Sequence, residues 1–496
     1  MHIVRFIYVV VASLLAIYGL NALALSLLYL HHRRERVPTP PLDEAPMVTV
    51  QLPIYNEAHV VQRLIDAAAA LDYPSHRLEI QVLDDSTDET TILAQRRVAF
   101  HRARGVDIAL LHRRERVGFK AGALAEGMRS ARGEFIAIFD ADFIPPRDFL
   151  QRTIPHFRNR PRLGLIQARW GHLNATCSPL TRAQALALDG HFGVEHWARN
   201  RSGLFMNFNG SAGVWRRACI EDAGGWQGKA ICEDMDLSYR AQLAGWEFLY
   251  LPNVQVLAEL PPQINAFKRQ QFRWAKGAVQ CLLKLGPRLL RAPIPLVQRI
   301  EGLLHLSGYF IHPLALSLML LTLPLLWWRV DLGGPTAYLG LAGLGPLFLF
   351  ALGQQALYPD WPRRLLALPL LIVVGMGIAV NNTWAVAEAL LGRAGAFQRT
   401  PKFCVKLSGD HWSSSRYALP WGRIVWAELG AAFYALATIG VAWARGAWGA
   451  IPFLALYFIS FVYVGGLSLW HGKPRRAVAD PQSIRHGRTA TLALRR

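Results

Sequence analysis

The chain has 496 residues, of which 52% are hydrophobic and 16 are tryptophan, a composition that excludes one soluble globule. Its formal charge of +20 raises nucleic acid as a partner. The basic residues, however, cluster where apolar segments end, so membrane topology accounts for them and nucleic acid is set aside.

Residues 3–30 are almost wholly apolar and run into His31-His-Arg-Arg-Glu-Arg36. The stretch is too long for a signal-peptide core and reads as an uncleaved anchor, residues 1–36, whose basic flank places the following domain in the cytosol. Pro38, Pro40 and Pro41 then make a short stiff linker. From residue 47, strand and helix patterns alternate: strand 47–54, helix 57–71, strand 78–83, helix 88–104, strand 106–111, helix 119–131, and the β-branched and aromatic run Glu134–Phe143. This order predicts an α/β domain over 45–262, with a mostly parallel sheet between helices. In such sheets ligands bind at the carboxyl ends of the strands, and here those ends carry Tyr55-Asn56-Glu57, Asp84-Asp85 and Asp140-Ala-Asp142.

Read as two positions of one strand, Asp140 and Asp142 present both carboxylates to the same face. A hard divalent cation held there keeps positions open for phosphate oxygens. Asp is also common in turns, and the spacing alone favours neither. Lys120, in the first turn of its helix, opposes the helix dipole unless an anion such as a diphosphate is near; the alternative is a solvated surface lysine. Asn207-Phe-Asn-Gly-Ser-Ala-Gly213 is a loop of small residues suited to close approach by a ligand or another backbone segment. At Cys232-Glu-Asp-Met-Asp236 acids open a helix, where they favour the dipole and where a carboxylate also suits a general base.

Gln270, Arg273 and Trp274 fall at i, i+3 and i+4 of a helix, in an interfacial amphipathic stretch at 263–300. Arg beside Trp suits a phosphate and a sugar ring together, and equally a side-chain pair resting on a bilayer surface. Apolar segments follow near 304–328, 336–357, 365–391, 422–443 and 449–470, each long enough, or nearly so, to cross a bilayer of about 30 Å. They make a membrane region over 301–472, followed by a basic tail, 473–496. The five cysteines, at 177, 219, 232, 281 and 404, are scattered without Cys-x-x-Cys spacing, which favours a reduced compartment and argues against a zinc site.

Taken in order, Asp84-Asp85, Asp140-Ala-Asp142 (a DxD motif), Glu233-Asp234 and Gln270-x-x-Arg273-Trp274 (QxxRW) resemble the signature of the large inverting family-two glycosyltransferases, the family of cellulose, chitin and hyaluronan synthases. The surrounding residues are closer still to the plant cellulose synthase-like A and C proteins, which make mannan or glucomannan and xyloglucan backbones. The resembling segments are Val82-Leu-Asp-Asp-Ser-Thr-Asp88, Lys120-Ala-Gly-Ala-Leu124, Gln167-Ala-Arg-Trp170, Phe208-Asn-Gly-Ser-Ala-Gly-Val-Trp215 and Glu233-Asp-Met-Asp-Leu237. The resemblance is strong over about 45–280 and extends to the membrane part only in layout.

What the resemblance implies is a Rossmann-like, glycosyltransferase-A type domain in which Tyr55, Glu57, Asp84, Asp85 and Lys120 hold the nucleotide sugar. Asp140 and Asp142 would bind its diphosphate through Mg²⁺ or Mn²⁺, and Asp234 would be the catalytic base. Glu233, Gln270, Arg273 and Trp274 would place the acceptor and brace the diphosphate. Phe397-Gln-Arg-Thr-Pro-Lys402 resembles the Phe-x-Val-Thr-x-Lys gating loop of cellulose synthases, with Arg399 at the usual Val, so Phe397, Thr400 and Lys402 would cover the donor. Cys232 stands where cellulose synthases often have Thr, which weakens a cellulose assignment.

A gating loop must be cytosolic, and three full crossings before it would leave it outside. One segment within 336–391 is therefore expected to be interfacial or re-entrant. The last, carrying Asn381-Asn382, fits best, for five crossings in total, or six otherwise. The implied function is a multi-pass membrane β-glycosyltransferase, in a plasma, inner or Golgi-type membrane, that passes glucose or mannose from UDP-glucose or GDP-mannose to a growing β-1,4-linked glycan. The alternative is a glycolipid-forming enzyme of the ceramide glucosyltransferase type, adding one sugar to a lipid. Partner subunits are left open.

Overall fold

The computed structural model describes residues 1–330, 332, 338–393, 399–405 and 412–473. Phe397 of the expected gating loop, and the basic tail beyond Lys473, lie outside them.

Seven strands, β1 (Val48–Ile54), β2 (Leu78–Asp84), β3 (Ile108–His112), β4 (Phe135–Ile138), β5 (Leu163–His172), β6 (Gly213–Arg216) and β7 (Glu247–Ala258), form one sheet in the order β3-β2-β1-β4-β6-β5-β7. β1 to β4 pair in parallel, as do β5 and β7, while β6 runs antiparallel to β4 and β5. All strands but β6 therefore point their carboxyl ends at one edge.

Helices of five or more residues used below are α1 (His2–His32), α2 (Val61–Ala69), α3 (Thr90–Arg102), α4 (Phe119–Ser130), α5 (Phe149–Thr153), α6 (Pro179–Gly190), α7 (His196–Arg201), α8 (Arg217–Asp222), α9 (Glu233–Leu243), α10 (Ile264–Arg291), α11 (Leu296–Leu306), α12 (Ile311–Trp327), α13 (Leu344–Leu357), α14 (Leu368–Gly377), α15 (Ala379–Leu390), α16 (Ile424–Ala444) and α17 (Ile451–His471).

Every residue of β1 and β2 is buried, as expected of parallel strands covered on both faces. The two faces differ in kind. Val48, Val50, Leu52 and Ile54 join Ile80 and Val82 under the apolar sides of α2 and α3. The alternate residues are polar and pair across strands, Thr49 Oγ1 donating to Glu79 (2.6 Å) and Gln51 Nε2 to Gln81 (3.1 Å). Buried polar groups persist only when satisfied in this way. On the other face Leu83, Ile136 and Ile138 pack with Ala121, Ala123 and Leu124 of α4 and Leu237 of α9.

β4 corrects the reading of Glu134–Phe143 as one strand. It pairs with β1 only over Phe135–Ile138, and Asp140 N–H donates to Ser211 Oγ (2.9 Å) instead of a strand carbonyl. Asp140 and Asp142 thus lie on a turn, closed by Phe143 N–H to Asp140 C=O (3.0 Å), and strand alternation does not govern their directions.

Among the described residues, five helical segments are long and apolar enough to cross a membrane: His2–His32, Gly308–Trp327, Gly340–Leu357, Ile424–Ala444 and Trp448–His471. A sixth passes only as the pair Trp361–Gly377 and Ala379–Leu390, bent by 43° as a broken span or a re-entrant loop. That pair is the segment singled out by Asn381-Asn382, and the asparagines have a structural reason to be there: Asn381 Nδ2 donates to Lys268 C=O (3.0 Å) and Asn382 Nδ2 lies 2.9 Å from His312 Nε2. α10 is bound to this bundle by two ion pairs, Lys268 Nζ to Glu428 (2.7 Å) on α16 and Lys276 Nζ to Glu388 (2.8 Å) on α15.

Candidate active site

The ends of β1, β2, β4, β5 and β7, the loop into β6, the start of α9, one side of α10 and the segment 399–402 enclose a cavity of about 160 Å³. Tyr55, Glu57, Asp85, Lys120, Asp140, Asp142, Glu233, Asp234, Gln270, Arg273, Trp274, Thr400 and Lys402 all line it. Of the residues read from the sequence, only Asp84 among those described does not.

Asp84 is wholly buried and organises the turn behind Asp85. Its carboxylate accepts Ser86 N–H (2.9 Å) and Thr91 Oγ1 (2.7 Å) and lies 2.8 Å from His112 Nδ1. Asp85 is gripped by two guanidinium nitrogens of Arg113, at 2.7 and 2.6 Å, the forked geometry that fixes a carboxylate plane. The Arg116 guanidinium lies 3.5 Å from the centre of the Tyr55 ring, so Tyr55, Arg116 and Asp85 present a flat cationic face beside an acid.

Asp140 and Asp142 are held by different lysines. Lys120 Nζ lies 2.5 Å from Asp140 Oδ1, donates to Gly210 C=O (2.7 Å) and is 3.8 Å from Glu233. The anions near Lys120 are thus side chains of the protein itself. Burial works against its charge, but Asp140 and Glu233 outweigh burial and raise its pKa. Asp142 Oδ2 takes Lys402 Nζ at 2.8 Å and Glu259 N–H at 3.3 Å, whereas its Oδ1 is buried with no hydrogen-bond partner among the described residues. No third His, Cys, Asp or Glu joins them in a metal-holding cluster among the described residues. The donor set fits a cation that takes one or two carboxylates from the protein and its other ligands from phosphate.

Asp234 sits in the first turn of α9, its Oδ1 accepting Met235 N–H at 2.8 Å. Its other oxygen faces Gly210: a Cβ there would lie 2.9 Å from Asp234 Oδ2 and 3.4 Å from Lys120 Nζ, and the Gly210 φ of +82° already disfavours any side chain. Burial raises the Asp234 pKa, Lys120 pulling the other way, and burial together with the Asp234 charge pushes Glu233 up to about 7. A carboxylate of raised basicity aimed at a cavity is what general-base work requires. Cys232, just before it, packs on α10: its Sγ lies 3.9 Å from Arg273 C=O, and a Cβ on Gly277 would come within 2.3 Å of it. Burial pushes its thiol far up, which leaves it a packing residue. The Cys-for-Thr departure is therefore a matter of helix contact.

Three participants escaped the sequence reading: Arg116, described above, Glu259 and Arg399. Glu259 follows β7 and clamps the 399–405 segment, accepting Phe403 N–H and Cys404 N–H, both at 2.9 Å. Arg399 donates to Tyr55 C=O (3.0 Å) and lies 3.5 Å from Glu57, whose carboxyl burial pushes up to about 7 against the pull of Arg399. The strand-end rule that singled out Asp85 also identifies Glu259. Backbone strain collects here too. Asn56, Phe119, Ala212 and Cys404, four of the six non-glycine residues with positive φ among those described, adjoin residues that line or frame the cavity, and each such conformation costs about 1–3 kcal/mol unless its surroundings enforce it.

Residues 45–277 match the family described as glycosyltransferase like family 2. Over 253 residues, 50% of this chain, the sequence is 46% identical to the probable glucomannan 4-beta-mannosyltransferase 7 of Oryza sativa subsp. japonica, covering 43% of that relative. Glucomannan 4-beta-mannosyltransferase 2 of Arabidopsis thaliana is 45% identical over 251 residues, 50% of this chain and 47% of its own length. Glucomannan 4-beta-mannosyltransferase 1 of Cyamopsis tetragonoloba is 43% identical over 261 residues, 52% and 50%. The matched part thus spans half or less of these relatives' length. Among solved structures, the mannosyltransferase PcManGT from Pyrobaculum calidifontis in complex with GDP-Man and Mn²⁺ superposes at a TM-score of 0.52, over 78% of this chain and 100% of that one, at 21% identity. That is a likeness of fold.

Proposed function

We propose, from the match of residues 45–277 to glycosyltransferase like family 2, that the chain is a membrane-embedded inverting hexosyltransferase that passes mannose from GDP-mannose to a growing β-1,4-linked glycan. UDP-glucose is the second donor in this reading. The observation that carries it is the position of Asp234, a half-buried carboxylate of raised pKa beside Lys120, in the cavity onto which Asp140, Asp142 and Trp274 also open. The names of the relatives, glucomannan 4-beta-mannosyltransferases, favour mannose over glucose.

Asp234 takes the proton of an acceptor hydroxyl as that oxygen attacks the anomeric carbon from the side opposite the diphosphate. A carbon–oxygen bond forms, the bond to the diphosphate breaks, and the diphosphate leaves with the electron pair, so an α-linked donor yields a β-linked product. Asp140 and Asp142 would hold a divalent cation, Mg²⁺ or Mn²⁺, which supplies charge neutralisation to the leaving diphosphate. Lys402, 2.8 Å from Asp142, would compete with that cation, and Tyr55, Glu57, Asp85 and Arg116 form the nucleotide side. Gln270, Arg273 and Trp274 seat the acceptor, while Arg399, Thr400 and Lys402, with Phe397, close over the donor.

In this reading residues 1–36 anchor the chain, the catalytic domain and the 393–420 loop face the cytosol, and the helices after residue 301 carry the product across the bilayer. A membrane-impermeant label at residue 410 in intact cells should not react, and reaction from outside would remove the loop from the donor site.

The test of function is a donor screen on purified protein with Mn²⁺ or Mg²⁺. Labelled GDP-mannose should give a polymer that an endo-β-1,4-mannanase degrades. A single-sugar, chloroform-soluble product would overturn the polymer in favour of glycolipid synthesis.

A further inference from the structure

A second cavity, of about 560 Å³, opens where α1 ends, and it has no part in the proposed transfer. Its walls bring together Arg33 and Arg36 just past α1, Arg152 of α5, Arg169 of β5 and Leu357 at the end of α13. The one acid on its lining, Glu35, is already engaged by His32 Nδ1 at 2.5 Å. Arg152 donates to Asn253 C=O (2.6 Å) and stands 3.7 Å from Asp148. Arg169 Nε donates to Pro252 C=O (2.9 Å), but its Nη1 is buried and has no acceptor among the described residues. Arg33 and Arg36 are exposed and make no ion pair among the described residues.

Three features single this cavity out. A buried guanidinium N–H without an acceptor is unfavourable unless an anion completes it. Four guanidinium groups against one engaged carboxylate leave a standing positive potential in a concave site, which concentrates anions. Finally, the two helices whose ends wall it leave large apolar side chains exposed, Leu23 and Leu27 on α1 and Leu344 and Phe348 on α13. The cavity therefore lies where lipid-facing helix surface gives way to the globular domain, a level at which basic pockets between membrane helices bind phospholipid headgroups.

We propose that this cavity binds the phosphate headgroup of an anionic phospholipid, with Arg169 Nη1, Arg33 and Arg36 as donors and the acyl chains against α1 and α13. The proposal rests on the membrane placement given above and on nothing in the transfer site. A lipid is preferred to a soluble phosphate because the cavity adjoins the bilayer, where the headgroup is held at high local concentration.

The experiment uses the full chain purified from mixed micelles of phosphatidylglycerol and phosphatidylcholine, with retained lipid measured by native mass spectrometry. Phosphatidylglycerol should be retained selectively. Arg33→Gln with Arg36→Gln should lower that selectivity roughly fivefold per arginine removed, and Arg169→Lys should retain more than Arg169→Gln. Should Arg169→Gln fail to fold, the double variant at exposed positions carries the test. Equal retention of the two lipids, or unchanged selectivity in the double variant, would overturn the site while leaving the membrane placement intact. Retention of neither lipid would overturn the placement itself. Displacement of the lipid by millimolar inorganic phosphate would assign the cavity to a soluble anion and overturn the lipid.

Discussion

In the transfer cavity acids and cations are matched: Lys120 sits on Asp140, Lys402 on Asp142, Arg113 on Asp85 and Arg399 beside Glu57. In the cavity beside α1, four arginines face one glutamate that His32 already holds. The two share a strand, since Arg169 lines the second and Trp170 the first, as neighbours on a strand point to opposite faces. A matched site is close to neutral until a substrate exchanges its partners, so its ion pairs govern protonation and access. An unmatched site carries its potential at rest and waits for an anion.

The largest way to break that contrast is Asp234→Asn, which should lower transfer by about 10³-fold with elution and unfolding temperature unchanged. Retained transfer would remove Asp234 as the base. Gly210→Ala comes next. Its Cβ would press on Asp234 Oδ2 and force a positive φ on a residue with a side chain, so activity should fall about 10²-fold, for a 1 Å displacement of catalytic groups has effects of that size.

Lys120→Met should show in the pH profile. As the proposed base, Asp234 must be ionised, so activity should fall as pH drops through its pKa. Lys120 lowers that pKa, and removing the ammonium should move the acid limb to higher pH. A limb that stays in place would mean that Lys120 does not tune the base. Glu259→Gln keeps one acceptor for two N–H donors, and should raise the KM for donor about fivefold through a looser 399–405 segment, the scale of one weakened charged hydrogen bond. The smallest effect belongs to the unmatched cavity: Arg33→Gln with Arg36→Gln should leave transfer in neutral detergent unchanged within about twofold, because exposed unpaired charges contribute little.

Much of the cavity edge was legible because two rules act locally: buried parallel strands read as short apolar runs, and their carboxyl ends face one edge. Tyr55, Asp85 and Asp140 follow from that. The Asp140–Asp142 direction did not, because the end of β4 is set by Ser211, about seventy residues away in sequence. Asp84 and Asp85 look alike in the chain, and only the partners His112 and Arg113 send one inward and the other to the cavity. Glu259 was missed although it obeys the strand-end rule, since β7 lies outside the first alternating run. Arg399 reads as a mismatch to a motif until its distance to Glu57 is known.

The two lysine–glutamate pairs of α10 have a mechanical consequence. Lys268 and Lys276 are eight residues apart, about 12 Å along a helix, and each is fastened to a different helix of the apolar bundle, Glu428 on α16 and Glu388 on α15. A rod pinned at two points can neither roll nor slide, and Trp274 lies between the pins. Under the proposed function Trp274 would then be a fixed anvil: each added sugar would be accommodated by travel of the glycan over it, and the pins would set the plane from which that travel is measured.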